Sequence, residues 1–236
     1  MRTGTRVVRA GLPRAETGQP ITSGVTFAGT YHAAGDPSNS PYTYGRFHNP
    51  TWAQFEAALG ELEGGSALAF ASGMAAVAAV FGATLRPGDA LVLPSDSYYT
   101  TRLLAEGFFA RMGVEVRKAP TAGGAQSGQL DGARLLWLET PSNPGLDVCD
   151  IASLARRAHE EGALVAVDNT TATALAQRPL ELGADFSVAS DTKGLTGHSD
   201  LVLGHVAVRD KVLMEKMLSW RTQISPTRTA TWSSAA

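Results

Sequence analysis

The feature that most constrains this chain is a recurring alternation of short, nearly all-apolar segments with stretches of helical character. The apolar segments are Ala67–Ala71, Ala90–Pro94, Val114–Lys118, Arg134–Leu138, Ala163–Asp168, Phe186–Ser190 and Gly204–Val208. Helical stretches fall at 73–85, 98–111, 150–162 and 210–221, and a further one runs from a Thr51 cap to Glu63. A short run that is apolar on both faces offers no side to water, so each predicts a strand covered on both sides. Strands that alternate with helices predict an α/β class: a mostly parallel seven-stranded sheet with helices on both faces. At 236 residues and 44% apolar, the chain is large enough to bury such a core in one or two domains.

The ends have a different character. Residues 1–50 hold Gly, Pro, Ser and Asn with little periodicity, and Asp36–Pro41 is turn chemistry, so this stretch predicts an extended arm. Residues 51–222 make the large domain. Residues 223–236, including Arg228, are rich in small and polar residues and predict an irregular, poorly packed tail. Ser66–Leu85 carries no charge, but Ala, Gly and Ser dominate and its parts read as strand and helix, which disfavours a membrane span. With 20 basic and 22 acidic residues there is no electrostatic footprint for nucleic acid or an anionic membrane. Cys149 is alone, which excludes a disulfide framework and a cysteine metal cluster. Met1–Arg6 leads into no apolar run, so a secretory signal is not expected and the cytoplasm is.

Chemistry-bearing residues gather where strands end. Lys193 follows the Phe186–Ser190 segment, with hydroxyls on Ser190 and Thr192 before it and Gly194 after it. Next to a buried strand its amine should be desolvated, which lowers a lysine pKa and makes it nucleophilic toward carbonyls; the plain alternative is a surface lysine. Asp168 closes another strand, as a partner for a ring nitrogen or as a loop cap. Ser72-Gly73-Met74 opens a helix, either as an anion site or as a close-packed junction. In Glu139-Thr140-Pro141-Ser142-Asn143-Pro144, Asn143 is placed to bond a ring oxygen, unless the segment is only a turn. Tyr98 is either a ring-stacking aromatic or a core wedge, and Tyr44 with Arg46 either grip a phosphate or lie in a solvated loop. An imine-forming lysine, hydroxyls for a phosphate and an acid for a pyridine nitrogen are what a pyridoxal 5'-phosphate enzyme needs. Ser190-x-x-Lys193 also fits the Ser-x-x-Lys of penicillin-recognising serine enzymes, but that motif should begin a helix and its partner elements are absent.

In their order along the chain these elements resemble the cysteine and methionine metabolism family of fold-type I pyridoxal phosphate enzymes, which holds cystathionine gamma-lyase and cystathionine gamma-synthase. The resemblance covers roughly residues 15–222 and rests on Tyr44–Thr51, Ser72–Ala76, Glu139–Pro144, Asp168–Thr170 and Ser190–Asp200. It implies that Lys193 carries the cofactor as an imine and shuttles protons, and that Asp168 pairs with the ring nitrogen. Tyr98 would stack on the ring and accept a proton, and Asn143 would contact the ring oxygen. Ser72, Gly73, Met74, Ser190 and Thr192 would hold the phosphate. Tyr44 and Arg46 would reach a neighbouring subunit's phosphate, implying a homo-oligomer, a dimer of dimers. The implied activity is carbon–sulfur cleavage by gamma-elimination on a sulfur-containing amino acid. Gamma-replacement on an O-acylated homoserine and an inactive cofactor-binding remnant are the alternatives. The chain departs from the family at Gly194, Tyr99 and Thr100; Thr100 stands where methionine gamma-lyases carry cysteine. It also stops where the family continues into a C-terminal domain, which implies a fragment or a truncation that is a weak catalyst alone.

Overall fold

A computed structural model of the chain describes residues 3–224. Of the expected irregular tail 223–236, Gln223 instead ends a helix, and residues 225–236, with Arg228, lie outside the described residues.

All seven expected strands form, each within a residue or two of its sequence bounds: β1 Ser66–Phe70, β2 Ala90–Pro94, β3 Glu115–Ala119, β4 Ala133–Glu139, β5 Leu164–Asp168, β6 Phe186–Ala189 and β7 Gly204–Val208. They join one sheet in the order β1-β7-β6-β5-β4-β2-β3. β3, β2, β4, β5 and β6 run parallel, while β7 runs antiparallel to both β6 and β1. The reversal has a topological cause. A parallel return needs a crossover, usually helical, but residues 190–203 are spent on turns and carry no helix.

The helices are α1 Thr3–Arg9, α2 Pro50–Glu63, α3 Gly73–Thr84, α4 Tyr99–Leu104, α5 Ile151–Glu160, α6 Thr173–Ala176 and α7 Lys211–Gln223. On one face, Phe81 of α3 meets Trp137 of β4 and Phe109 edge-on at 5.1 and 5.5 Å, with Met217 of α7 buried in the same cluster. On the other face, Ile151, Leu154, Ala155 and Ala158 of α5 pack on Val92, Leu136, Leu138, Val165 and Val167. A Cβ on Gly82 would sit 1.8 Å from the Trp220 ring, so only glycine lets α7 lie this close to α3. Residues 66–85 fold as β1 and α3, and among the described residues no helix is long and apolar enough to cross a membrane.

Three local expectations are corrected. The arm is not wholly extended, because residues 3–9 are helical. The cap of α2 is Asn49 rather than Thr51: the Asn49 side chain accepts the Thr51 N–H at 2.8 Å, leaving Pro50 at the first helical position, where its missing N–H costs nothing. The Thr51 hydroxyl instead accepts the Thr26 N–H at 2.8 Å and ties the arm to α2. The expected 98–111 helix is broken into α4, a π turn over Ala105–Phe109 and a 3-10 turn over Ala110–Met112.

Candidate functional site

The carboxyl ends of β4, β5 and β6 and the N-terminus of α3 converge on a cavity of about 610 Å³, within the size range of small-molecule sites. Glu139 ends β4 and Asp168 ends β5, and the parallel register sets them opposite each other. Both Glu139 oxygens are engaged at 2.8 Å, one by the Tyr98 N–H and the other by the Asn143 N–H. This one carboxylate therefore fixes two loops from different strands. Burial, and then the charge of Asp168, push Glu139 up to about 7 against those two amide hydrogen bonds. Burial also raises the Asp168 pKa, opposed by hydrogen bonds from Thr170 and by the positive charges of Lys193 and His205. Asp168 Oδ1 accepts the Thr170 N–H at 3.0 Å.

The α3 end is built for close approach. Ser72 caps the helix by accepting the Ala75 N–H at 3.0 Å. A Cβ on Gly73 would lie 2.6 Å from the Ser190 Cβ, and one on Gly204 would lie 2.5 Å from the Gly73 nitrogen. The two glycines thus let the helix end, the Ser190 turn and β7 meet backbone to backbone. The close-packing reading of this junction is observed, and that packing is what brings the helix end to the cavity. First-turn N–H groups have no carbonyl four residues back, and the dipole there favours an anion. The turn carrying Lys193 is held by the Thr170 hydroxyl, which accepts the Ser190 N–H at 2.8 Å. Thr192 donates its hydroxyl to the Leu203 carbonyl at 3.1 Å and accepts the Leu203 N–H at 3.0 Å. Lys193 Nζ stands 3.3 Å from Ser190 Oγ.

The donor set of this cavity, an amine, hydroxyls, a helix N-terminus and a strand-end carboxylate, fits pyridoxal phosphate. The model of the Cys/Met metabolism PLP-dependent enzyme family matches residues 4–233.

The chain belongs to this family.

A putative cystathionine gamma-lyase of Streptomyces coelicolor is 57% identical over 223 residues, covering 92% of this chain and 56% of that protein. Cystathionine gamma-synthase of Mycobacterium tuberculosis is 41% identical over 222 residues, 90% of this chain and 56% of that protein. A crystal structure of cystathionine gamma-lyase from Lactobacillus plantarum complexed with L-serine superposes with TM-score 0.91 at 31% identity, covering 98% of this chain and 62% of that chain. The chain thus spans about 56% of the length of the curated relatives it matches.

Within this member of the Cys/Met metabolism PLP-dependent family, the cavity gathers Ser72, Gly73, Met74, Tyr98, Asn143, Asp168, Ser190, Thr192 and Lys193. Tyr44 and Arg46 do not line it. Both side chains are exposed, and Arg46 lies over the Tyr44 and Phe47 rings and donates to the Thr222 carbonyl at 3.3 Å. The expectation of a desolvated lysine is corrected: β6 is buried, but Lys193 stands beyond its end and is exposed. Ser190 opens a turn after a strand and not a helix, which removes the penicillin-recognising reading. Sequence reasoning did not assign Glu139 or Thr170 a role. A second strand-end acid beside Asp168 was the available signal for Glu139. For Glu63, Asp191 and His205, clustered behind the Lys193 turn, there was little to find, because Glu63 and His205 are 142 residues apart.

Proposed function

We propose that this chain is the cofactor-binding part of a carbon–sulfur lyase acting by gamma-elimination on a cystathionine-like amino acid. The observation that carries this reading is the convergence of Lys193, Asp168 and the α3 N-terminus on one cavity. Pyridoxal phosphate, when bound, supplies an electron-poor ring that stores the electron pair left when an amino acid loses its alpha proton. Asp168 would keep the ring nitrogen protonated, and a carboxylate does this best. Lys193 would hold the cofactor and then move protons at the substrate's alpha and beta carbons, with Tyr98 stacked on the ring as a second acceptor. Ser72, Gly73, Met74, Ser190 and Thr192 would take the phosphate, and the Glu139-anchored loop would bring Asn143 to the ring oxygen. The exposed Tyr44 and Arg46, on an arm spanning residues 1–50, would reach the phosphate of a neighbouring subunit in a dimer of dimers, beside the large domain of 51–222. The protein would work in the cytoplasm.

Gamma-replacement on an O-acylated homoserine is the second reading, favoured by the 41% identity to a cystathionine gamma-synthase. It shares the proton transfers at the alpha and beta carbons. Cofactor-saturated protein, given cystathionine, O-acylhomoserine with cysteine, or methionine, separates the readings. Thiol and 2-oxo acid release from cystathionine supports elimination. Cystathionine formation from O-acylhomoserine supports replacement, and turnover of methionine alone would sink both.

A further inference from the structure

Behind the turn that carries Lys193 lies a buried charged cluster. His205 of β7 is 3% exposed, and Asp191 and Glu63 are 1% exposed. His205 Nδ1 is 2.7 Å from Asp191 Oδ1, and its Nε2 is 3.2 Å from Glu63 Oε1. A neutral imidazole has one N–H, so its other nitrogen would face a carboxylate lone pair to lone pair. With both carboxylates ionised, both contacts are hydrogen bonds only when the ring is protonated. Two buried carboxylates also need a cation. Among the described residues no group of His, Cys, Asp and Glu is arranged to hold a metal ion, so the histidine is the counter-charge.

The connections of this cluster are specific. Glu63 is the last residue of α2, and Asp191 follows β6 and begins the Lys193 turn. The Asp191 carbonyl accepts the Thr196 N–H at 3.1 Å, closing that turn, and the Lys193 N–H bonds the Ser190 carbonyl at 3.1 Å. Asp191 thus anchors the turn from behind, two residues before the lysine that borders the cavity. A small cavity of about 30 Å³ is lined by Glu63, Asp191 and His205 together with Ser190, Gly194 and Leu195, so cluster and turn share a wall. On the strands beside β7, His205 is opposite Ala69 and Ala189, which carry no charge. The charged groups that bear on it are Glu63 from α2, Asp191 from the turn, and Asp168 at the end of β5, whose acidity its charge strengthens.

We infer that His205 is a positioning residue for Lys193: as a buried imidazolium clamped by Asp191 and Glu63, it fixes the turn that presents the lysine to the cavity and keeps a positive charge behind Asp168. Burial opposes the charge on His205, but Asp191 and then Glu63 outweigh it and raise the pKa to about 10, so the clamp is closed at neutral pH. The inference rests on the reading of Lys193 and Asp168 as cofactor partners.

The test uses the full chain with His205→Gln and Glu63→Gln. Folding is checked by circular dichroism, pyridoxal phosphate affinity by titration, and the lysine–cofactor linkage by the pH midpoint of its absorbance. His205→Gln is expected to raise the cofactor Kd at least tenfold. It should also move the midpoint upward by about half a unit or more, because losing a cation favours the protonated linkage. Glu63→Gln keeps the cation and an acceptor for Nε2, and should change Kd by about threefold or less. A folded His205→Gln protein with wild-type Kd and midpoint overturns the proposal. Should His205→Gln not fold, Asp191→Asn carries the test: it removes an anion while Glu63 still holds the imidazolium, so the midpoint is expected to move downward, and an unchanged midpoint and Kd overturn the proposal. If wild-type protein forms no lysine-linked cofactor, the site reading fails separately. The clamp is then read by nitrogen-15 NMR of His205 at pH 8: two protonated ring nitrogens support it, and one overturns it.

Discussion

Two carboxylate pairs of this chain are handled in opposite ways. At the strand ends, Glu139 and Asp168 face each other across β4 and β5 and open onto the cavity. Their like charges are left to oppose each other, and Glu139 is pushed up to about 7. Behind the Lys193 turn, Glu63 and Asp191 are closed off from water, with His205 bonded between them. The difference teaches what each cluster is for. A closed pair needs a counter-charge inside the protein, because a buried carboxylate without one costs several kcal/mol. A pair open to a cavity can leave its charge balance to a ligand, and perturbed acids of this kind mark functional sites.

The sharpest way to break this comparison is to remove the open site's cation. Lys193→Ala is expected to abolish the lysine-linked cofactor absorbance and nearly all turnover, while leaving the buried cluster and the fold intact. Borohydride reduction that still fixes the cofactor to a lysine would place the linkage elsewhere. Asp168→Asn should slow alpha-proton exchange at least about tenfold, equivalent to about 1.4 kcal/mol, because an amide does not hold a protonated ring nitrogen as a carboxylate does. Exchange at the wild-type rate, followed by deuterium uptake, would remove Asp168 from this role.

The closed cluster should show itself in stability as well as in cofactor binding. The folded pKa of His205, about 10, is above its ordinary 6.5. Its stabilisation is therefore complete below about pH 6.5 and lost as pH rises toward 10, with a slope of at most about 1.4 kcal/mol per pH unit. Urea unfolding from pH 6 to 10 should show this decline in the wild type and a flatter profile in His205→Gln. Equal slopes would mean that the ring is not charged. The smallest effect is expected at Glu139, also raised, from 4.5 to about 7. The sign is the same: the protonated acid is favoured by folding, so stability falls as pH climbs from about 4.5 through 7. Glu139→Gln should flatten that window. It should also cost about 1 kcal/mol, since the amide accepts only one of the two N–H groups that the carboxylate takes. An unchanged pH slope would separate Glu139 from Asp168.

Legibility in the sequence tracked how local each signal was. The strands were readable because each is a run of neighbouring apolar residues, as in Leu91–Val92–Leu93, all fully buried. Strand-end placement also located Asp168, Asn143, Ser190 and Thr192, since in parallel sheets such ends gather on one side. The α2 cap was misplaced because Asn49 and Thr51 are both good caps, and only the packing of the arm showed that Thr51 is engaged by Thr26. The break of the 98–111 helix was marked only by Gly107, inside the π turn, and a single glycine does not fix where a helix breaks.

What the sequence by itself determined is the α/β class and the seven strands, because periodicity is carried by adjacent residues, and the cofactor family, because the resemblance rests on short motifs of neighbouring residues. Only the tertiary structure decided that β7 runs backward, that Lys193 is exposed, that Glu139 joins the Tyr98 and Asn143 loops, and that Tyr44 and Arg46 lie off the cavity. It alone brought Glu63 to His205 across 142 residues. The physical reason is the same in each case. These features depend on which distant segments share a wall and which charges lose their water together, and no window along the chain contains both partners.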